Sequence, residues 1–187
     1  MTRESYLKEV TLGTPERGEI QLSPYNKDWP CQYEAEAEKI RRALGTRIRS
    51  LEHVGSTSVP GLMAKPILDI LLLVEDSSDE RAYVPFLEQA GYVLRIREQD
   101  WYEHRMLKGT EPAVNLHVFS QNCPEAQRMI LFRNWLRRCP EDRERYAETK
   151  KQLAQKTWKY VQDYADQKTQ VVRQIMARAE SAEKDWK

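Results

Sequence analysis

The chain has 187 residues, of which 40% are hydrophobic and 32% are charged, a size that suits one domain with its own core. Its 30 basic and 29 acidic residues leave a formal charge of +1, so the composition gives no general attraction to nucleic acid. The three cysteines are widely spaced and support neither a disulfide framework nor a cysteine zinc site.

The cytoplasm is the expected compartment. The first nine residues are too charged for a signal peptide. The longest apolar run, residues 67–74, is interrupted by Asp69 and is too short to cross a bilayer. We therefore expect no membrane partner, and a nucleic-acid partner is disfavoured by the balanced charge.

The first two thirds of the chain mix strand-like and helical patterns. The continuous apolar content of residues 66–74 predicts a strand buried on both faces at the centre of a sheet. In chain order, the predicted elements are a short strand at residues 20–22, a helix from Asp28 to Leu44 that stops at Gly45, a strand at 47–54, a loop at 55–65, the strand at 66–74, a helix at 80–90, a strand at 92–96, and a hairpin of 103–108 and 113–120.

The last third is predicted to be helical. Cys139-Pro140 ends one helix, and the acidic residues after Pro140 open a second helix that runs through Leu153 toward Trp158. A last helical stretch places Tyr164 on one face with apolar residues up to Ala179. The pattern predicts an α/β (α+β) protein, one domain over residues 1–187, with a sheet core at about 20–122 and a helical part at about 124–180.

The loop Gly55-Ser56-Thr57-Ser58 is the first candidate binding element. A Gly-Ser turn at the end of a strand presents backbone N–H groups and hydroxyls, which suit the oxygens of a phosphate. The alternative is an ordinary serine-rich turn that caps a short helix.

Asp69 is the second candidate, because it is the one carboxylate in an otherwise apolar predicted strand. Burying a lone carboxylate is costly unless it is paired, hydrogen-bonded or bound to a metal. A salt bridge with Lys65 is the structural alternative. Strand parity puts Asp69 and Leu71 on one face, and a site results if that face opens toward the Gly55 loop.

Two stretches, residues 51–62 (LEHVGSTSVPGL) and 64–70 (AKPILDI), resemble the signature of the GrpB family. The resemblance covers about residues 20–179 and extends to Pro24-Tyr25, Trp29-Pro30, residues 115–118 (NLHV), residues 132–137 (FRNWLR), Tyr146-x-x-x-Lys150 and Tyr164-x-x-x-Lys168.

The resemblance implies a nucleotidyltransferase-like fold, a mixed sheet of about five strands flanked by helices. In that superfamily a Gly-Ser pair holds the phosphates of a nucleotide, and an Asp-x-Asp or Asp-x-Glu strand with a third carboxylate binds two magnesium ions. Gly55-Ser56 and Asp69 match this pattern. Mg²⁺ or Mn²⁺ and a nucleoside triphosphate are therefore the implied cofactor and substrate. Some members resemble modules fused to dephospho-CoA kinase.

The carboxylate pattern is incomplete in this chain. Two residues after Asp69 stands Leu71, and the later strand offers Asn115, His117 and Phe119 instead of a third acid. His117 could replace that acid as a metal ligand, which favours manganese, zinc or iron, or could act as a general base. His53 is the other candidate base, and for either histidine a hydrogen-bonded structural role is the alternative.

Three pairs at helical i, i+4 spacing add basic and phenolic groups: Arg133 and Arg137, Tyr146 and Lys150, and Tyr164 and Lys168. For the two arginines the alternatives are a solvated face and anion binding. Lys168 lies on an apolar stripe, where it either snorkels to solvent or points into the site and neutralises phosphate.

The leading hypothesis is a transferase that binds a phosphorylated small molecule or nucleotide and transfers a nucleotidyl group. The alternatives are a catalytically degenerate module that binds a nucleotide or CoA-like ligand, and a different small-molecule ligase or hydrolase that uses Asp69 and His117. In the leading hypothesis, Asp69 and His117 hold the metal, His117 or His53 is the base, and the ligand is bound by Gly55, Ser56, Thr57, Ser58, Lys65, Arg133, Arg137, Tyr146, Lys150 and Lys168.

Overall fold

A computed structural model describes residues 3–14 and 19–184 of the protein, and its centre is a five-stranded mixed sheet with the order β1-β2-β5-β4-β3. β2 and β5 are parallel, and the other neighbours are antiparallel. The strands are β1 (Ser50–Val54), β2 (Leu68–Val74), β3 (Val93–Glu98), β4 (His104–Thr110) and β5 (Ala113–Ser120). The helices are α1 (Arg3–Val10), α2 (Trp29–Leu44), α3 (Val84–Gln89), α4 (Pro124–Arg138), α5 (Pro140–Ala154), α6 (Val161–Gln167) and α7 (Thr169–Lys184). The predicted architecture, a mixed sheet of five strands followed by helices, is confirmed.

The two faces of the sheet are covered differently. Ile40 of α2, Leu87 of α3 and Ile70 of β2 are fully buried in the largest core cluster on one face. On the other face Leu71 and Phe119 pack in a cluster with residues of α4. Because β2 is covered on both faces, its apolar run is nearly continuous, as the sequence predicts.

The strand register brings distant polar side chains onto the face that α4 covers only in part. Asp69 of β2 lies beside Asn115 of β5, and His117 follows two residues later on the same face. Glu98 of β3 lies beside His104 of β4, and β4 is the other neighbour of β5. All five polar residues therefore belong to one side of the sheet.

Two local predictions are wrong. The predicted strand at residues 20–22 is not a strand: Ile20 is buried against the C-terminal helices, and an isolated bridge joins Ser23 to Ala64. The predicted start of β1 at residue 47 is also too early. Gly45 has a positive φ of 55° and opens the 3₁₀ turn Gly45–Arg47, which occupies those positions.

The C-terminal stretch divides into two helices where the sequence suggests one. α6 ends at Gln167, and the amide of Lys168 donates to the carbonyl of Ala165 before α7 begins. α5 ends at Ala154, earlier than the predicted extension toward Trp158. Within residues 3–14 and 19–184, no helix has both the length and the apolar content that a membrane span requires.

Candidate functional site

A cleft of about 620 Å³ lies on the face of the sheet that carries Asp69 and His117. Its walls come from α1, from α6 and from the loop after β1, and its floor comes from β2 to β5. This volume lies within the usual range for small-molecule sites. Lys65, Thr57 and Asp166 also line it.

Asp69, Asn115 and His117 form the polar floor of the cleft. Asn115 Nδ2 donates to Asp69 Oδ1 at 3.0 Å, and His117 Nε2 lies 3.7 Å from the same oxygen. The side chains of Asp69 and His117 are 30% and 22% exposed, so a ligand can reach both. Burial by itself raises the pKa of Asp69, but His117, Asn115 and Lys65 outweigh that effect and bring the pKa below its usual value.

The Gly55 loop packs directly on Asp69. Gly55 has φ 68° and ψ −173°, a backbone conformation that is essentially confined to glycine. A Cβ built on Gly55 would lie 2.8 Å from Asp69 Cβ and 2.9 Å from its Cγ. The glycine is therefore required both by its φ and by the close approach of the carboxylate. The short 3₁₀ turn Ser56–Ser58 follows at once.

Ser56, Lys150 and Lys168 form a basic corner of the cleft. Lys150 Nζ donates to Ser56 Oγ at 3.1 Å and also to the carbonyl of Met63. Lys150 is only 2% exposed, and burial, helped by the charge of Lys168, lowers the pKa of its amine to about 7. Burial also lowers the pKa of the half-buried Lys168.

Tyr146 lies beneath this corner. It is buried, and its hydroxyl interacts with Ser56 while burial raises the pKa of the phenol to about 12. Its ring packs edge-on against Phe132 and lies 4.8 Å from Lys150 Nζ. Tyr146 therefore supports Ser56 and Lys150 from behind.

The donor set does not fit a two-magnesium centre. Leu71, at the place of a second carboxylate, is fully buried with Val54 and Phe119. Glu52 shares this face, but its carboxylate lies 2.8 Å from Arg133 Nη1. Over the described ranges, no group of three or more His, Cys, Asp or Glu side chains is placed to hold a metal ion.

The sequence profile of the GrpB family, described as "GrpB protein", matches residues 19–178. The chain belongs to the GrpB family. It is 54% identical over 175 residues to the UPF0157 protein of Halalkalibacterium halodurans, covering 92% of this chain and 90% of that protein. The crystal structure of the conserved protein GrpB from Enterococcus faecalis has a TM-score of 0.77 and 32% identity, and the match covers 89% of this chain and all of that one.

A distant likeness joins this GrpB-family chain to a Cid1 poly(U) polymerase solved with Mg 3′-dATP bound. The TM-score is 0.45 and the identity 10%, and the match covers 79% of this chain and 46% of the polymerase. A likeness of this degree says nothing about what the GrpB-family chain binds.

His53, although part of the GrpB signature, does not line the cleft. Its partner in the register is Ile70, so it faces the α2 side of the sheet, opposite to Asp69. There its ring stacks on Tyr33 at 4.7 Å, and its Nε2 bonds to Thr57 Oγ1 at 3.0 Å. Burial lowers the pKa of His53 to about 4. The expectation that His53 could serve as the base is therefore wrong, because strand parity gives the cleft face to its neighbours.

Arg133 and Arg137 hold the backbone of the GrpB signature and do not line the cleft. Arg133 Nη1 donates to the carbonyl of His53 at 2.8 Å, besides its ion pair with Glu52. Arg137 donates twice to the carbonyl of Ser58, at 3.0 and 2.8 Å. Arg133 is buried, so a solvated face does not describe it, whereas Arg137 is exposed although its guanidinium bonds to the backbone. The hydroxyl of Ser58 is likewise used internally, because it donates to the carbonyl of Gly55.

The sequence prediction missed His104, Glu98 and Tyr6, which continue the polar floor beyond His117. His104 Nε2 lies 3.1 Å from His117 Nδ1, and His104 Nδ1 lies 2.7 Å from Glu98 Oε2. Tyr6 donates its hydroxyl to the other oxygen of Glu98. The signal that could have found them is His104 itself, the one histidine left unassigned, which lies in the first predicted hairpin strand, residues 103–108.

Proposed function

We propose that this GrpB-family protein binds a phosphorylated small molecule in the cleft, with a nucleoside triphosphate as the first candidate, and transfers its nucleotidyl group. The observation that carries the proposal is the convergence of the Ser56–Lys150–Lys168 corner and the Asp69–His117 pair on one cleft. The corner provides a hydroxyl and two amines for phosphate oxygens. The floor provides a carboxylate and an imidazole for a metal ion or a proton.

The chain fits one divalent ion better than two. Asp69 and His117 would hold Mg²⁺ or Mn²⁺ together with the ligand's phosphates, since such ions often use one or two protein ligands besides substrate oxygens. The imidazole makes Mn²⁺ the better fit of the two. When bound, the ion would offset negative charge on the phosphates. The chain's own groups bind phosphate at Ser56 and Lys150, and His117 Nε2 either coordinates the ion or, where no ion is bound, accepts a proton.

Calorimetric titration with ATP, GTP, CTP and UTP, each with Mg²⁺ and with Mn²⁺, tests the proposal. We expect binding to the parent protein and at least a tenfold loss in Asp69→Asn, since a charge-assisted interaction is worth about 1.5–3 kcal/mol. Asp28→Asn is the matched control, because Asp28 is exposed and makes no capping bond with its side chain. If no nucleotide binds with either metal, the proposal is wrong.

A non-catalytic binding module for a nucleotide or a CoA-like ligand is the second candidate, and Leu71 favours it. Because Leu71 is buried beside Phe119, the protein has no carboxylate at the position that would complete a two-ion centre. Product analysis after incubation with each nucleotide and metal separates the two candidates. Binding without any turnover, with affinity retained in Asp69→Ala, would support the module and contradict nucleotidyl transfer.

A further inference from the structure

Four polar side chains lie in a row along the floor of the cleft, in the order Asp69, His117, His104 and Glu98. The distances along it are 3.7 Å from Asp69 Oδ1 to His117 Nε2, 3.1 Å from His117 Nδ1 to His104 Nε2, and 2.7 Å from His104 Nδ1 to Glu98 Oε2. The His117–His104 and His104–Glu98 contacts have hydrogen-bond lengths, whereas the Asp69–His117 distance is longer than a hydrogen bond.

The direction of each hydrogen bond follows from what the end groups can do. The carboxylate of Glu98 only accepts, and its second oxygen already accepts the hydroxyl of Tyr6. His104 Nδ1 must therefore carry the proton that lies between it and Glu98.

His104 lies between two aromatic rings and is almost completely buried. It is 4% exposed, its ring stacks on Phe119 at 4.7 Å, and Trp101 packs edge-on against it at 5.3 Å. At about pH 8, the pH of the test below, an ordinary imidazole is neutral. A neutral imidazole has one N–H, so His104 Nε2 is a bare acceptor facing His117.

We propose, as a refinement of the proposed function, that Glu98 and His104 are positioning residues that keep the proton of His117 on Nδ1. The Nε2 lone pair of neutral His117 then points toward Asp69 and the cleft, where it meets either a metal ion or a proton of the ligand. Second-sphere carboxylates commonly orient a functional histidine in this way.

The tautomers can be read directly by NMR, because the chain has only three histidines. In protein labelled with ¹⁵N-histidine, long-range ¹H–¹⁵N spectra at about pH 8, where an ordinary imidazole is neutral, distinguish a protonated from a bare ring nitrogen. Spectra of His53→Gln and His117→Gln assign the signals. We expect a protonated Nδ1 and a bare Nε2 for His117. A proton on Nε2 of His117 in the parent protein would overturn the proposal, whatever happens in any variant.

His104→Phe removes the acceptor while keeping an aromatic ring against Phe119. We expect the proton of His117 to move to Nε2 and bond to Asp69, and an unchanged Nδ1–H would contradict the proposal. Glu98→Gln, a smaller change, should shift the tautomer in the same direction. Glu103→Gln is the matched control, because this acid lies beside His104 in sequence but pairs with Arg105, and its spectrum should match the parent.

Titration with Mn²⁺ alone links the tautomer to binding. We expect about tenfold weaker Mn²⁺ binding in Glu98→Gln and no change in Glu103→Gln, since loss of a second-sphere partner costs 10–100-fold, or about 1.4–2.7 kcal/mol. If the parent protein shows the expected tautomer but binds no Mn²⁺, the metal part of the proposed function fails and the positioning role stands. Equal Mn²⁺ affinity in Glu98→Gln and the parent would contradict the role of Glu98.

Discussion

Replacing Lys150 by methionine tests the electrostatics of the basic corner of the cleft. Lys150 is 2% exposed, and burial lowers the pKa of its amine from the usual 10.5 to about 7. Between these two values the unfolded chain holds a proton that the folded chain lacks. Stability therefore rises with pH through this window. Below pH 7 both states are protonated, and the full cost of burying the charge is present.

The expected magnitude follows from the same pKa. A fall from 10.5 to about 7 corresponds to about 5 kcal/mol of destabilisation by the charged amine, which is an upper value for a burial effect of this kind. The substitution also removes the donor to Ser56 and to the carbonyl of Met63, at a cost of about 1–2 kcal/mol. At pH 6 we expect Lys150→Met to be more stable than the parent by about 2–4 kcal/mol, although its affinity for a phosphorylated ligand should fall.

Urea denaturation of the parent and of Lys150→Met at several pH values between about 6 and 10 measures this effect. The stability advantage of the variant should shrink as the pH rises and should reverse near pH 10, because close to the unfolded-state pKa of 10.5 the remaining cost of burying the amine falls below the contribution of its hydrogen bonds. Lys151→Met is the matched control, because Lys151 is the exposed neighbour in the same helix. Parallel pH curves for the parent and Lys150→Met would refute the claim that the amine is desolvated.

Two further substitutions test the packing of the signature. Gly55→Ala should destabilise the folded protein by more than about 3 kcal/mol and abolish ligand binding, because the added Cβ would clash with Asp69. Gly45→Ala is the control: Gly45 also has a positive φ, but no atom lies within 4 Å of an added Cβ, so the substitution should cost only backbone strain. Thermal unfolding compares the two variants, and equal losses of stability would contradict the clash with Asp69. His53→Gln should lower the free energy of unfolding by about 1–2 kcal/mol, because the hydrogen bond to Thr57 is lost, and should leave the affinity for nucleotide unchanged in calorimetry. A tenfold loss of affinity would show instead that His53 acts in the cleft.

Much of the fold could be predicted because its signals are local. The apolar run around Asp69 predicts a central strand, and Gly45 and Pro140 mark helix boundaries that the structure has at the same places. The strand at residues 20–22 failed because Ile20 and Leu22 are apolar for another reason, which is packing against Leu153 and Tyr164. A short apolar stretch does not by itself distinguish a strand from a packed loop.

Side-chain roles at the site depended on which face each strand turns toward the cleft. Sequence patterns alone do not choose between His53 and His117, whereas the pairing of His53 with Ile70 places His53 on the face of the sheet opposite to the cleft. For Arg133 the sequence leaves a solvated face and anion binding as alternatives. In the structure α4 lies against β1, and the guanidinium bonds to the His53 carbonyl and to Glu52.

The sequence by itself determined that a Gly-Ser turn precedes a buried strand with one carboxylate, and it determined the membership of the GrpB family. These features are local, since they depend on neighbouring residues and on the positive φ of Gly55, which a glycine adopts readily. Only the tertiary structure decided that Glu98, His104 and His117 lie in contact with one another, and that Lys150 is buried beside Ser56. The hydrogen bond between Lys150 and Ser56 joins residues 94 positions apart. Such a contact, and the loss of water around the amine, arise from packing, which no local pattern encodes.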